Sequence, residues 1–224
     1  MPEVIFAGPE GRLEGRYHPS DDPNAPCALI LSPHPKAGGH MDHRIPVAMY
    51  EQYKRRGFSV LRFNFRGIGR SKGVYDNGQG ELQDAAAYAL DYLQSFNQNA
   101  PFSWVSGYSF GAWIGMQLLM RRPEVAGFIS MSLPTNTYDF AFLAPCPASG
   151  LVTYGSEDPI VPADDVDLVV EKIRVQKGHT IYTHRIEGAD HFYTDHLEET
   201  MDVIEDYLDS ALDPQYCPPR ALLE

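Results

Sequence analysis

The chain has 224 residues, of which 43% are hydrophobic, and a formal net charge of −12 at pH 7. This length allows one domain with a substantial hydrophobic core, and the negative charge disfavours binding to nucleic acid or to an anionic membrane surface. Because no apolar run approaches the length of a membrane span and the N-terminus lacks the basic and apolar regions of a signal peptide, we expect a cytoplasmic protein.

Short strands and helices alternate along the chain. In order, the patterns predict strands at residues 4–7, 13–17 and 27–31, a helix at 45–56, a strand at 59–64, a helix at 80–96, a strand and a helix across 102–119, strands at 127–132 and 150–154, a helix at 164–175, a strand at 180–186 and a helix at 196–211. This alternation predicts an α/β fold with a mostly parallel central sheet of about eight strands and helices on both faces. We expect one domain over residues 1–212 and a Pro-rich C-terminal tail over residues 213–224.

The loop after the predicted strand 27–31 is a candidate for binding negative charge through backbone N–H groups. Pro35 has no N–H and cannot donate. We therefore expect the Lys36 N–H to be the donor, with Gly38 and Gly39 allowing the chain to curl back. His34 is expected to brace this loop by hydrogen bonds and to lie near a substrate.

The most informative segment is the pentapeptide Gly107-Tyr108-Ser109-Phe110-Gly111. It follows an apolar run and precedes a helical one, which is the strand–turn–helix context that holds a nucleophilic serine on a strained turn. The glycines are needed because the turn has no room for side chains two residues either side of Ser109. The turn also places the Phe110 N–H and the start of a helix where a developing oxyanion is favoured.

A second G-x-S-x-G segment, Gly69 to Gly73, shows that the pattern alone is weak evidence. The residues that follow it, 74–80, are rich in turn formers and cannot open a helix. We therefore interpret Ser71 as a loop residue and Ser109 as the nucleophile.

A nucleophilic serine needs a base and an orienting carboxylate. Asp158 lies just past the predicted strand 150–154, and His191 lies in the loop after the predicted strand 180–186, both at carboxyl ends where open α/β sheets build their sites. The neighbouring Glu157 and Asp190 are rival carboxylates, but adjacent residues on an extended segment point opposite ways. The candidate set is therefore Ser109, Asp158 and His191, in that chain order.

Other histidines and the cysteines suggest no further chemistry. His18, His179, His184 and His196 lie in turns, strands or helices away from the expected edge, and His40 and His43 lack the third ligand of a usual zinc site. Cys27, Cys146 and Cys217 are far apart and form no C-x-x-C pair, which favours reduced thiols. We expect no metal ion and no cofactor.

About 16 residues separate the predicted strand ends near 133 and 150, too few for the two to four lid helices, of roughly 11 residues each, that a lid would need. We therefore expect no lid domain and an open site roofed by residues 134–144. Tyr138, Phe140 and Phe142 are candidate substrate-binding walls, although ordinary packing under a loop stays an equal alternative.

Five segments carry a resemblance to the α/β-hydrolases that covers residues 3–212. More narrowly, the chain is similar to small lidless bacterial hydrolases with an HPHP-x-x-GG-type oxyanion loop, which are related to the dienelactone hydrolase group. The segments are LSPHP (31–35) with GG (38–39) and MD (41–42), RFNFRGIGRS (62–71), GYSFG (107–111), GSED (155–158) and GADHF (188–192).

The resemblance implies a Ser109–His191–Asp158 triad and an oxyanion hole formed by the backbone N–H groups of Phe110 and Lys36. It implies a serine hydrolase, carboxylesterase-like, that cleaves a small carboxylic ester or thioester through an acyl-enzyme. A peptidase or amidase with the same triad, and a non-catalytic binding protein on a hydrolase frame, stay open as alternatives. We expect a small-molecule ester as partner, and homo-oligomers are compatible with the sequence.

Two positions depart from the family pattern. Ser32 stands where the narrower family often has a histidine, and Asn64 stands where many α/β-hydrolases have an aspartate. Dienelactone hydrolase itself uses a cysteine nucleophile, whereas this chain has Ser109, so that particular substrate does not carry over.

Overall fold

Eight strands form one sheet in the computed structural model, which describes residues 3–143, 146–174 and 178–216, without the side chains of residues 86 and 87. The strands are β1 (Glu3–Gly8), β2 (Gly11–His18), β3 (Cys27–Leu31), β4 (Ser59–Phe63), β5 (Ser103–Tyr108), β6 (Val125–Met131), β7 (Ser149–Gly155) and β8 (Ile181–Ile186). Their order is β1-β2-β4-β3-β5-β6-β7-β8, and all pairs from β4 to β8 are parallel, whereas β2 is antiparallel to both of its neighbours. The predicted, mostly parallel sheet is confirmed.

Helices cover both faces of this sheet, as predicted. They are α1 (Arg44–Arg55), α2 (Gln79–Gln83), α3 (Leu90–Ser95), α4 (Phe110–Leu119), α5 (Ala163–Arg174) and α6 (Leu197–Ala211). The single helix predicted over residues 80–96 is interrupted by a π-helical segment, Asp84–Ala89, between α2 and α3. Hydrophobic periodicity predicts a helix of this length but does not reveal a single π-helical turn inside it.

The core divides into two layers because successive side chains of a strand point to opposite faces of the sheet. In β3, Leu29 and Leu31 pack in the cluster that includes α2 to α5, whereas Ala28 and Ile30 pack in the cluster that includes α1 and α6. All four side chains are fully buried. A central parallel strand is covered by helices on both faces of the sheet and therefore needs apolar side chains on both.

A buried ion pair links the loop after β4 to the π-helical segment. The Arg66 guanidinium donates to the Asp84 carboxylate from Nε at 3.0 Å and from Nη2 at 2.8 Å, and the Arg66 backbone N–H donates to Asp84 Oδ2 at 3.1 Å. The hydrogen bonds from the guanidinium to Asp84 raise the pKa of Arg66. Both side chains are almost inaccessible to solvent, so each charge depends on the other for compensation.

The connection between β6 and β7 carries no lid among its described residues. Its helical structure there is one 3₁₀ turn, Ala141–Leu143.

At the C-terminal end of the described chain, a 3₁₀ turn at Pro214–Tyr216 places the Tyr216 ring against Phe58 and Phe102. Residues 217–224, including Cys217 and most of the predicted tail, lie outside the described residues, as does Ala144 of the predicted roof. None of the described helices is long and apolar enough to cross a membrane.

Replacing Asp84 with asparagine is expected to lower the free energy of unfolding by about 3 kcal/mol or more, because the buried Arg66 guanidinium loses its counter-charge. Glu187→Gln is the matched control, since it breaks the exposed Arg185–Glu187 pair and should cost less than about 1 kcal/mol. Urea unfolding followed by circular dichroism measures both. Equal losses in the two variants would contradict a structural role for the Arg66–Asp84 pair.

Candidate active site

Ser109 lies on a strained turn between β5 and α4. Its backbone angles, φ 53° and ψ −118°, lie outside the regions that side chains prefer. The glycines on either side permit this turn: a Cβ at Gly107 would lie 2.3 Å from Gly111 O, and a Cβ at Gly111 would lie 2.4 Å from Leu31 O. The turn is therefore pressed against the end of β3, and the Ser109 hydroxyl faces the carboxyl edge of the sheet.

The structure brings the three predicted catalytic residues together. His191 Nε2 lies 3.1 Å from Ser109 Oγ, and His191 Nδ1 lies 2.6 Å from Asp158 Oδ2. The histidine and the aspartate are buried. Asp158 accepts Nδ1–H in this arrangement, so that Nε2 is the ring nitrogen left to accept the serine proton.

Backbone N–H groups orient the Asp158 carboxylate. Its Oδ1 accepts from the N–H groups of Ile160 and Val161, each at 2.8 Å, which leaves Oδ2 for the histidine. The two rival carboxylates point elsewhere. Glu157 is exposed, and Asp190 accepts from the backbone N–H and the hydroxyl of Thr194.

The backbone of His191 is held by hydroxyl groups that sequence reasoning did not identify. Tyr108 OH donates to the His191 carbonyl at 3.0 Å, and Ser132 Oγ lies 3.3 Å from the same oxygen. Ser132 also contacts the hydroxyl of the fully buried Tyr193, which donates to Thr153 O at 3.1 Å. Ser132 and Tyr193 both have positive φ angles, near 50°. The residue types of Ser132 and Tyr193 do not predict such angles. Of these residues, only Tyr108 could have been singled out from the sequence, because it lies inside the pentapeptide.

The expectation for the Lys36 N–H needs correction, because this group is already engaged. It donates to His34 Nδ1 at 3.1 Å, and Lys36 does not contribute to the cavity around Ser109. Within the described part of the chain, the N–H groups of His34 and Phe110 make no hydrogen bond. His34 lines the cavity, and its ring lies 4.9 Å from the Phe110 ring.

The His34 side chain braces the loop, as expected from the sequence. Because Nδ1 accepts from Lys36, the neutral ring carries its proton on Nε2, which lies 3.2 Å from Tyr75 OH. Burial lowers the pKa of His34, which favours this neutral form. The loop after β3 is thus tied to the segment that precedes α2.

A cavity of about 270 Å³ opens in front of Ser109. It is lined by Pro33, His34, Ala37, Gly38, Gly39, His43, Tyr108, Ser109, Phe110, Pro134, Thr137, Tyr138, Ile160, Val161, His191 and Phe192. Tyr138 is therefore a wall residue, and its ring stacks on Trp113 with 4.0 Å between centroids.

Phe140 and Phe142 do not line this cavity, which corrects their predicted role. Phe140 is buried in the core, and Phe142 packs against the same cluster with its ring stacked on that of Phe140. Both rings therefore pack in or against the core, as in the alternative of ordinary packing.

The serine of the second pentapeptide has a structural role. Ser71 is buried, its hydroxyl donates to Asn64 O at 2.7 Å, and it accepts from the Glu14 N–H at 2.9 Å.

His43 lines the cavity, and its ring lies 6.4 Å from that of His40. No group of three potential metal-binding side chains occurs among the described residues.

Known proteins resemble this chain over most of its length. The model of the dienelactone hydrolase family matches residues 70–212. The uncharacterized protein RP471 of Rickettsia prowazekii is 50% identical over 212 residues, which cover 93% of this chain and 89% of RP471. Among solved structures, ATU1826 of Agrobacterium tumefaciens, a protein of unknown function and candidate α/β-hydrolase, is 54% identical with a TM-score of 0.93, covering 97% of this chain and 100% of that one. An α/β serine hydrolase homologue from Coxiella burnetii is 29% identical with a TM-score of 0.84, covering 92% and 97%.

Gly111→Ala is expected to lower the free energy of unfolding by about 2–3 kcal/mol, because the added Cβ overlaps backbone atoms of β3 that cannot move freely. Gly57→Ala is the control: Gly57 has φ 77° but no atom within 4 Å of the added Cβ, so only the backbone conformation is strained, at about 1 kcal/mol. Chemical denaturation compares the variants. A loss for Gly111→Ala no larger than that for Gly57→Ala would show that the close contact with β3 is not needed.

Proposed function

Because the chain belongs to the dienelactone hydrolase family, we propose that it is a serine hydrolase that cleaves small carboxylic esters or thioesters through an acyl-enzyme on Ser109. The observation that carries the proposal is the continuous hydrogen-bonded line from Ser109 through His191 to Asp158. Family membership and the serine hydrolase homologues support hydrolysis in general. The ester or thioester, and the carboxylesterase class, are our inference from the site.

Acylation begins when His191 Nε2 takes the proton of Ser109 and Oγ attacks the carbonyl carbon. The carbonyl electrons move to its oxygen and form a tetrahedral oxyanion. Asp158 holds the Nδ1–H tautomer and stabilises the imidazolium that results. Collapse of the intermediate breaks the bond to the alcohol or thiol, which leaves with the proton from His191. Water then repeats the sequence on the acyl-enzyme and regenerates Ser109.

The oxyanion is proposed to bind the N–H groups of Phe110 and His34. The Phe110 N–H is at the N-terminus of α4, where the helix dipole also favours negative charge. His34 replaces the Lys36 expected from the sequence, because the Lys36 N–H already donates to the His34 ring. Preorganised donors of this kind contribute to catalysis because they need no reorientation as charge develops.

The size of the cavity supports a small substrate. Its volume of about 270 Å³ is slightly below the range of drug-sized ligand pockets, roughly 300–1,000 Å³. The connection that carries a lid in larger enzymes contributes only Pro134, Thr137 and Tyr138 to the described walls. Short acyl groups therefore fill the space, and long chains have no enclosed tunnel in which to lie.

We also propose a cytoplasmic location. Cys27 and Cys146 are free and buried. Burial raises the pKa of Cys27 to about 12 and also raises that of Cys146, so neither thiol readily forms the reactive thiolate. Unpaired, protected thiols suit a reducing compartment.

Labelling with a fluorophosphonate tests the nucleophile directly. Wild-type protein is expected to form an adduct on Ser109, mapped by peptide mass spectrometry, and Ser109→Ala is expected to lose it together with ester turnover. Ser71→Ala provides the matched control, because it removes the serine of the other pentapeptide and should keep the adduct. Absence of labelling in folded wild-type protein would favour the binding-protein alternative, and hydrolysis of amides as fast as of matched esters would favour a peptidase or amidase.

The oxyanion donor is tested by comparing His34→Pro with His34→Ala. His34 has φ −60° and ψ 122°, which suit proline, so His34→Pro removes the N–H with little change in the backbone. Alanine removes the same side chain but keeps the N–H. His34→Pro is expected to have a kcat roughly 100-fold or more below that of His34→Ala. Equal kcat values would exclude the His34 N–H as a donor.

A further inference from the structure

We propose that the substrate is uncharged around its scissile bond and that the site discriminates against esters carrying a carboxylate on the acyl group. This inference rests on the proposed esterase function and specifies its substrate class. It follows from the composition of the cavity, from the contacts of the nearest cations and from the position of nearby carboxylates.

The cavity offers no charge to bind an anion. Among the described residues that line it, none is a lysine, arginine, aspartate or glutamate. Two histidines other than His191 line it, His34 and His43, and burial lowers the pKa of each. The remaining polar side chains there are hydroxyl groups. A carboxylate entering this space would lose hydration without gaining an ionic partner.

Lys36 and Arg44, which neighbour lining residues in the chain, both make other contacts. Lys36 Nζ lies 4.5 Å above the centre of the Tyr75 ring. The Arg44 guanidinium donates to the backbone carbonyls of Phe192 and Thr194, and so ties down the loop that carries His191. Recruiting Arg44 to a substrate would break its contacts with the loop that carries His191. Recruiting Lys36 would break its contact with the Tyr75 ring, which lies beside His34.

Away from the oxyanion donors, buried carboxylates make the electrostatic environment unfavourable to a carboxylate on the acyl group. Asp158 lies directly behind His191. Glu81 is fully buried, accepts from the backbone N–H groups of Asp76 and Gly78, and acts electrostatically on the wall residues His34 and Tyr138. The net charge of −12 adds a long-range term of the same sign.

The rim of the cavity is apolar. Ile160 and Phe192 are 47% and 46% exposed, although both are large hydrophobic residues, and both line the cavity. With Tyr138 and Phe110, they present hydrocarbon and aromatic surface to any group attached to the ester. Apolar acyl groups gain from burying this surface, whereas a charged group of the same shape does not.

A pair of matched esters tests the inference. Ethyl 4-methylpentanoate and the monoethyl ester of succinic acid have acyl groups of similar shape, but only the second carries a carboxylate. The kcat/KM of the neutral ester is expected to exceed that of the anionic ester by about 100-fold or more. Ester hydrolysis is followed at pH 8 by quantifying the ethanol released.

A cation placed on the rim should relax this discrimination. Ile160→Lys is expected to lower the ratio of the two kcat/KM values at least tenfold, mainly by raising that of the anionic ester. Leu168→Lys is the matched control: Leu168 is 56% exposed on α5 and does not line the cavity, so the same change in net charge should leave the ratio unaltered.

The results distinguish a failure of the substrate inference from a failure of the proposed esterase function. Equal kcat/KM values for the two esters, or equal effects of Ile160→Lys and Leu168→Lys, would overturn the inference while leaving the esterase proposal intact. Turnover of neither ester, together with no fluorophosphonate adduct on Ser109, would overturn the proposed function and the inference with it.

Discussion

Parallel pairing of the strands from β3 to β8 is the constraint on which the site depends. Because paired parallel strands run in the same direction, the turns after β3, β5, β7 and β8 all emerge at one edge of the sheet. Ser109, Asp158 and His191 each follow one of these strands. Residues far apart in the chain therefore meet without a dedicated binding domain, and the rigid hydrogen-bond ladders behind them fix their separation.

Close contacts between backbones convert this proximity into defined geometry. The turn at Ser109 is held between β3 and α4, with no space for a Cβ at Gly107 or Gly111. On the opposite side, the His191 carbonyl accepts from Tyr108, which belongs to the same pentapeptide. The nucleophile turn and the histidine loop are thus connected directly, which limits the independent movement of the groups that must exchange a proton.

The surroundings of the cavity suggest how a shared fold acquires a particular specificity. Among the described residues that line the cavity, no side chain is a lysine, arginine, aspartate or glutamate, and much of the wall is aromatic or aliphatic. The ionic partners near the site, including Lys36, Arg44 and Glu81, are engaged in supporting loops. A change of one rim residue, such as Ile160, alters the charge presented to the substrate without disturbing those supports.

The sequence by itself determined the fold class, the order of the elements and the residues that meet at the sheet edge. Strand β3 was predicted with its observed ends, because a continuous apolar run bounded by turn residues defines a buried parallel strand. Ser109 was distinguished from Ser71 by local context alone, since a helix must follow a nucleophile turn.

Tertiary structure decided which backbone N–H groups stay free, which aromatic residues line the cavity and which hydroxyl groups hold His191. The Lys36 N–H was expected to donate to substrate, but it donates to the ring of His34, which Tyr75 contacts in turn. Phe140 lies in the core, and Phe142 packs against it. These outcomes depend on side-chain directions and on contacts between distant segments, which local patterns of residue type do not encode.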